Sequence, residues 1–156
     1  MSLNCPGAAT RFKRQRGFTL VEILVAVVVL AIGLLGLAGL QATSLRFNSS
    51  AYLRSQATNL AYEMADRMRA NRQAAMNGDY DPENFAPSPP ACAAVAPAGT
   101  VAQQDLQAWR NALACTLPAG TGSIQRIAGN IFRVTVRWDD SRGQAAPQDF
   151  AMDADL

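Results

Sequence analysis

The chain has 156 residues, with 14 basic side chains, 12 acidic side chains and no histidine. This length accommodates one modest domain plus an elongated segment. Residues 1–17 hold four of the basic groups and no acid, so residues 18–156 carry ten basic against twelve acidic groups. Residues 18–156 therefore lack the excess of basic side chains that is typical of nucleic-acid-binding proteins. Histidine, the commonest general base and metal ligand, is absent from the chain. We therefore expect no nucleic-acid partner, no metal or cofactor and no enzymatic activity.

A basic cluster directly precedes a long apolar run. The cluster is Arg11, Lys13, Arg14 and Arg16, and no charged side chain occurs from Ile23 to Leu45. About 20 apolar residues cross the hydrocarbon core of a bilayer, and the basic flank is the charge asymmetry that keeps one end cytoplasmic. The pattern predicts a single span in the lipid bilayer. A plain membrane anchor is a competing interpretation, as is a secretory signal, whose apolar core is only about 7–15 residues long.

One acidic residue, Glu22, interrupts the apolar run. A carboxylate at such a place costs roughly 2.5 kcal/mol or more, so it needs a shallow position or a partner. In the first interpretation Glu22 snorkels to the membrane surface. In the second, a cut after Gly17 frees an amine on Phe18, which meets Glu22 of a neighbouring helix. An ion pair between two charges already committed to low dielectric then selects the register of the helices.

The string Arg16-Gly17-Phe18-Thr19-Leu20-Val21-Glu22 with its apolar run resembles the class III signal of type IV pilins and type II secretion pseudopilins. The resemblance implies that residues 1–17 are a cytoplasmic leader. It also implies that a prepilin peptidase of the inner membrane cuts between Gly17 and Phe18 and methylates the new amino terminus with S-adenosylmethionine. Glu22 and Thr19 would then be assembly residues.

A finer resemblance concerns the segment GLLGLAGLQ and residues 51–71, which are similar to PilV-type minor pilins. It implies a low-abundance subunit that joins other minor pilins and the major pilin in a priming or tip complex. The partners would include the inner-membrane assembly machinery. A minor pseudopilin of a type II secretion system is the alternative.

Beyond the membrane stretch the sequence predicts a continuing helix. No proline occurs in residues 18–81, and apolar residues recur at steps of three or four, which makes one stripe on a helix. We expect a helix of roughly 55–60 residues, with residues 18–45 in lipid or a filament core and residues 46–76 in the periplasm. The stripe consists of Leu53, Ala57, Leu60, Ala61, Met64 and Met68, and the predicted surface ion pairs are Glu63–Arg67 and Asp66–Arg69.

Gly33, Gly36 and Gly39 interrupt the lipid half of this helix. Each costs about 1 kcal/mol of helix propensity relative to alanine. They either allow close packing of helices in the membrane or form a weak spot that unwinds when the subunit leaves the bilayer. The chain lacks the helix-kinking proline that many major pilins carry in this stretch.

Residues 77–156 are predicted to form a globular head, beginning with an irregular loop. Five of the eight prolines lie from Pro82 to Pro97, where they fix the backbone and remove donors. A bridge from Cys92 to Cys115 would close a loop of about 24 residues and stabilise the fold by roughly 3 kcal/mol. Two buried free thiols are the alternative, and Cys5 lies in the leader.

The rest of the head is predicted to be a short helix and an antiparallel sheet. The helix covers Asp105 to Leu117, with Asp105 as N-cap. After a Gly120–Gly122 turn, strands cover Ile124–Ile127 and Ile131–Trp138 and recur near Phe150. The whole is an α+β, pilin-like fold, in which a long N-terminal helix packs on a small sheet. The predicted core residues of the short helix are Leu106, Trp109, Leu113 and Leu117; Asp139, Asp140, Ser141 and Asp149 are interpreted as solvated rather than catalytic.

Overall fold

The computed structural model describes residues 17–81, 92, 93, 96 and 98–156, which divide between Ser44 and Leu45 into two compact units. The predicted leader and most of the proline-rich stretch from 82 to 97 lie outside the described residues. In chain order the elements are α1 (Leu20–Ala70), α2 (Arg72–Asn77), α3 (Val101–Thr116), β1 (Thr121–Ala128), β2 (Ile131–Trp138) and β3 (Gln148–Asp155).

The first unit is the apolar start of α1. All of its described residues are exposed, including Phe18, whose side chain is 79% accessible. The helix passes through Gly33, Gly36 and Gly39 without a break, and a Cβ at any of them would meet no neighbouring atom. Among the described residues, α1 is the one helix that is long and apolar enough to cross a membrane.

Within the second unit, the remainder of α1 contributes one face to the core. The predicted apolar stripe is confirmed: its members are buried except for half-buried Leu53, and Ala65 joins them. The helix is shorter than predicted, because the backbone leaves α-helical geometry at Asn71 before the short helix α2. There the Asn71 side-chain amide donates to the Tyr80 hydroxyl (3.2 Å).

Helix α3 begins earlier than the sequence pattern predicted, so the assignment of Asp105 as its N-cap is wrong. Thr100 is the N-cap. Its hydroxyl accepts from the Gln103 backbone N–H and the Gln103 side chain accepts from the Thr100 N–H, which is a complete capping box. The predicted buried face is confirmed, and Trp109 at its centre donates from Nε1 to the Leu60 carbonyl of α1 (2.9 Å).

The three strands form an antiparallel sheet in the order β1-β2-β3, so the predicted α+β architecture is confirmed. In β2 the alternation predicted from the sequence holds: Phe132, Val134, Val136 and Trp138 are buried in the core shared with α1 and α3. Val134 pairs with Ile124 on β1 and with Met152 on β3.

The predicted turn at Gly120–Gly122 is too long, because β1 already begins at Thr121. Gly122 pairs with Val136, and a Cβ at this position would overlap the Trp109 ring and Leu113. Glycine therefore serves here to let the strand approach α3 closely, rather than to make a turn.

Candidate functional site

The start of α1 carries the residues that the sequence singles out. Gly17, Phe18 and Thr19 precede the helix, and Glu22 lies in its first turn. The Glu22 backbone N–H donates to the Thr19 hydroxyl (3.3 Å). This is the cap half of the Thr-x-x-Glu pattern, in which an N-cap hydroxyl satisfies one of the free N–H groups at a helix start. Thr19 thereby gains a geometric role that the sequence motif alone did not assign.

Phe18 and Glu22 border the same shallow groove at the helix start, together with Ile23 and Leu30. A carboxylate in the first turn also interacts favourably with the positive end of the helix dipole. The segment therefore presents an acid and the residue after Gly17 on one side of an otherwise apolar rod.

Among the described residues of this unit, the apolar side chains that follow are packed against no other element. Residues 23–44 carry no charge, and their large side chains are half or more exposed. An apolar surface of this extent marks a region that contacts lipid or another protein. The unit is thus suited to a membrane or to a bundle of like helices.

A polar cluster in the head joins three segments that are distant in sequence. The Asp105 carboxylate accepts from Arg67 Nη1 (3.0 Å) and from the Tyr80 hydroxyl (2.7 Å). Arg67 also pairs with Glu63 (2.7 Å), as predicted. The second predicted pair, Asp66–Arg69, is present at 2.7 Å. Arg67 is therefore more than a member of a surface ion pair within α1, because it also links α1 to α3.

Burial decides the protonation of this cluster. Tyr80 is fully buried, and the pKa of its hydroxyl is raised to about 12, first by burial and then by its hydrogen bond to Asp105. The pKa of Arg67 is raised as well. Its hydrogen bond to Glu63 raises this pKa most, and its hydrogen bond to Asp105 raises it further. At neutral pH the cluster therefore holds a neutral tyrosine hydroxyl that donates to Asp105, which fits a structural role.

Cys92 and Cys115 form a disulfide, as predicted. Close to it, the Ala93 backbone N–H donates to the Asn111 side-chain oxygen (3.0 Å). The covalent bond and the hydrogen bond together fasten Cys92 and Ala93, two described residues of the proline-rich stretch, to α3.

The turn after β2 carries the acids considered as catalytic candidates. The Asp139 carboxylate accepts from the Ser141 N–H and hydroxyl (2.8 and 2.7 Å) and from the Gly143 N–H (2.6 Å). These bonds lower the pKa of Asp139, the Ser141 hydroxyl being the largest cause. Asp140 accepts from Ser50 of α1 (2.8 Å). Both acids therefore organise a turn, and Asp149 pairs with Arg137 on the sheet.

Two family matches cover adjoining parts of the chain. The family described as prokaryotic N-terminal methylation motif matches residues 12–38, and the family described as type IV pilin Tt1218 matches residues 39–108. No curated protein and no solved structure matched. The first match implies processing by a prepilin peptidase, and the apolar helix indicates a membrane or pilus location. With its methylation motif, its Tt1218-like segment and its long helix packed on an antiparallel sheet, the chain is a type IV pilin-like protein, similar to a family of structural, non-enzymatic proteins.

Proposed function

We propose that this protein is a minor pilin of the PilV type, which takes part in the priming or tip complex of a type IV pilus. The start of α1 is the observation that most directly supports a pilin-type subunit, and the PilV-type assignment rests on the resemblance of GLLGLAGLQ and residues 51–71. At the start of α1, Gly17 and Phe18 precede a capped helix, Glu22 lies in its first turn, and an uncharged, exposed apolar surface follows.

In this proposal a prepilin peptidase removes residues 1–17 on the cytoplasmic face and methylates the amine of Phe18. The head faces the periplasm, where the Cys92–Cys115 disulfide is stable. Before assembly, the apolar part of α1 crosses the inner membrane. After assembly it lies among the helices of the filament, which replace lipid as the apolar surroundings.

The Glu22 carboxylate sets the axial register of assembly. The amine freed on Phe18 of the adjoining subunit neutralises it, and both groups lie at the same end of otherwise apolar helices. Because the surroundings are of low dielectric, an unpaired Glu22 costs several kcal/mol, so a shifted register that leaves it unpaired is strongly disfavoured. Thr19 assists by holding the first turn in which Glu22 lies.

Two measurements test the proposal. Mass spectrometry of the protein from membranes should find an amino terminus at Phe18 with one added methyl group, whereas a terminus at Met1 or beyond residue 40 would contradict it. Glu22→Ala should be cleaved normally but enter filaments poorly. Glu22→Asp is the matched control, since it keeps the charge, and it should retain more incorporation than Glu22→Ala. Equal incorporation of all three proteins would rule out the ion pair.

The alternative is a minor pseudopilin of a type II secretion system, which uses the same N-terminal chemistry. Deletion of the coding sequence separates the two functions. Loss of surface pili and twitching with normal protein secretion supports the minor pilin, and the opposite result supports the pseudopilin.

A further inference from the structure

Strand β3 lies at an edge of the sheet. It pairs with β2 over its whole length in one continuous register, from Ile131–Asp155 to Trp138–Gln148. The opposite edge strand, β1, has an irregular register between Arg126 and Ala128. Bulges of this type protect an edge against additional pairing, and β3 has none. Its eight residues therefore offer a regular template for another strand.

One hydrogen bond determines which backbone groups of β3 face outward. The Leu156 N–H donates to the Asn130 carbonyl (3.0 Å). In an antiparallel ladder, this makes Ile131 and Asp155 a pair without mutual hydrogen bonds, and such pairs alternate with bonded ones. The backbone N–H and C=O groups that point away from β2 consequently belong to Asp149, Ala151, Asp153 and Asp155.

These outward groups are largely unused among the residues that the structure describes. The Asp155 carbonyl accepts from Arg69 Nε (3.4 Å), but the backbone groups of Asp149, Ala151 and Asp153 have no partner in that part of the chain. Three consecutive outward positions are thus ready to form a ladder with a further strand.

The side chains of β3 restrict which strand can pair there. Asp149 and Asp153 lie on the outer face, while Phe150 and Met152 lie on the inner face and are only partly buried. A strand that covers the exposed part of the inner pair needs apolar side chains inward. Opposite the two carboxylates it needs basic or neutral side chains, because like charges directly opposite are destabilising.

Strand β2, which already pairs with β3, has the side-chain pattern that these requirements describe. Strand β2 (IFRVTVRW) alternates apolar side chains with Arg133 and Arg137, which make two-pronged ion pairs with Asp153 and Asp149 at 2.7 and 2.8 Å. The arginine partner is the largest cause that lowers the pKa of each of these carboxyls. The matched alternation across the β2–β3 ladder defines a pattern that can be repeated on the other side of β3.

We propose that the outer edge of β3 is a docking edge for an extended segment of another protein, in which apolar residues alternate with basic ones. A second copy of β3 does not fit this description. Antiparallel pairing of two β3 strands about Ala151 would place Asp149 of one opposite Asp153 of the other, in both directions. Pairing of two β3 strands in this centred register is therefore disfavoured. The inference rests on the head alone and is independent of cleavage after Gly17.

A peptide with the sequence of residues 131–138 serves as the probe, with the full-length protein in detergent micelles. Amide hydrogen exchange measured by NMR should slow at least about tenfold at Asp149, Ala151 and Asp153, whose N–H groups face outward. Phe150 and Met152, which already donate to β2, should change little. A peptide with glutamate at both arginine positions is the matched control and should give at least about tenfold weaker binding. Uniform protection of all five amides, or none, would overturn the assignment.

Ala151→Pro removes one outward donor without touching a β2–β3 hydrogen bond, because proline is accepted where an edge N–H faces solvent. Peptide affinity should fall at least tenfold, whereas Ala151→Val, which keeps the N–H, should bind like the original protein. Equal affinity of both variants would refute docking at this edge. If Ala151→Pro does not fold, the unaltered protein is used with a probe peptide whose backbone nitrogens are methylated on the edge that would pair with β3. Undiminished binding of this methylated peptide would refute docking at the edge.

Discussion

The two units of this protein use the same apolar side chains in opposite ways. Leu30 in the first unit is 62% exposed, whereas Leu113 in the second is fully buried. The head gains stability from internal contacts among α1, α3 and the sheet. The described residues of the first unit, 17–44, are all exposed, so the free energy of their apolar surface depends on surroundings that lipid or neighbouring helices supply. The apolar side chains of the head are thus buried by its own fold, whereas those of the first unit need a membrane or another protein to cover them.

The largest predicted effect comes from making one substitution in both units. Leu113→Ala should lower the free energy of unfolding of the head by about 2–5 kcal/mol, because it removes buried methyl groups and leaves a cavity. Leu30→Ala, the matched control, should leave that value unchanged within about 0.5 kcal/mol. Denaturant titration of the full chain in micelles, followed by near-ultraviolet circular dichroism, measures both. A comparable loss in Leu30→Ala would show that the first unit contributes to the core of the head.

Periodic patterns predicted most of the architecture. The stripe on α1 and the alternation in β2 are set by the local repeats of 3.6 and 2 residues, and each repeat survives in the structure as a buried face. The start of α1 was likewise readable, since its motif is contiguous in sequence. Elements that are determined by neighbouring residues in this way can be predicted without knowing which distant residues they contact.

Two features of the head differ from the prediction, for different reasons. Asp105 looked like an N-cap, but Thr100 with Gln103 forms the better cap, which frees Asp105 to bind Arg67 and Tyr80. Gly122 looked like part of a turn because its close approach to Trp109 depends on tertiary packing. The Thr-x-x-Gln spacing of Thr100 and Gln103 is a local signal that predicts this cap, whereas the close approach of Gly122 to Trp109 has no signal in the local pattern.

The disulfide allows a second test of the difference between the units. Replacing both Cys92 and Cys115 by serine should destabilise the head by roughly 3 kcal/mol, since the open chain regains loop entropy on unfolding. Membrane insertion, which depends on the first unit, should not change. Denaturant titration and carbonate extraction of membranes measure the two properties.

Reductant provides the control for the serine variant. It should lower the stability of the original protein to the same level and leave the variant unaffected. Asn111→Ala, which retains the disulfide but loses the bond to the Ala93 N–H, should cost about 1 kcal/mol. A reductant effect on the serine variant would mean that the loss has another origin.

A third test uses pH, to which the buried polar cluster of the head should respond. The pKa of Tyr80 is raised from 10.0 to about 12 in the folded protein. Its contribution to stability is therefore complete below pH 10 and is lost as the pH rises toward 12, because the unfolded chain releases the proton first. The free energy of unfolding should fall by roughly 2 kcal/mol across that window. Tyr80→Phe should start lower but lack this fall; an unchanged alkaline fall in that variant would assign it to another group.

The smallest predicted effect lies at the start of α1, where a side-chain hydroxyl caps the first turn of the helix. Thr19→Ala removes the acceptor of the Glu22 N–H and should weaken the first helical turn by about 1 kcal/mol. Amide exchange at Glu22 should therefore accelerate about fivefold in micelles, while Thr19→Ser, which keeps a hydroxyl, should exchange like the original chain. The unfolding free energy of the head should be the same in all three proteins. Because Glu22 depends on this turn for its position, the same loss should reduce incorporation into filaments less than Glu22→Ala does, and a larger reduction would show that Thr19 contacts the adjoining subunit directly.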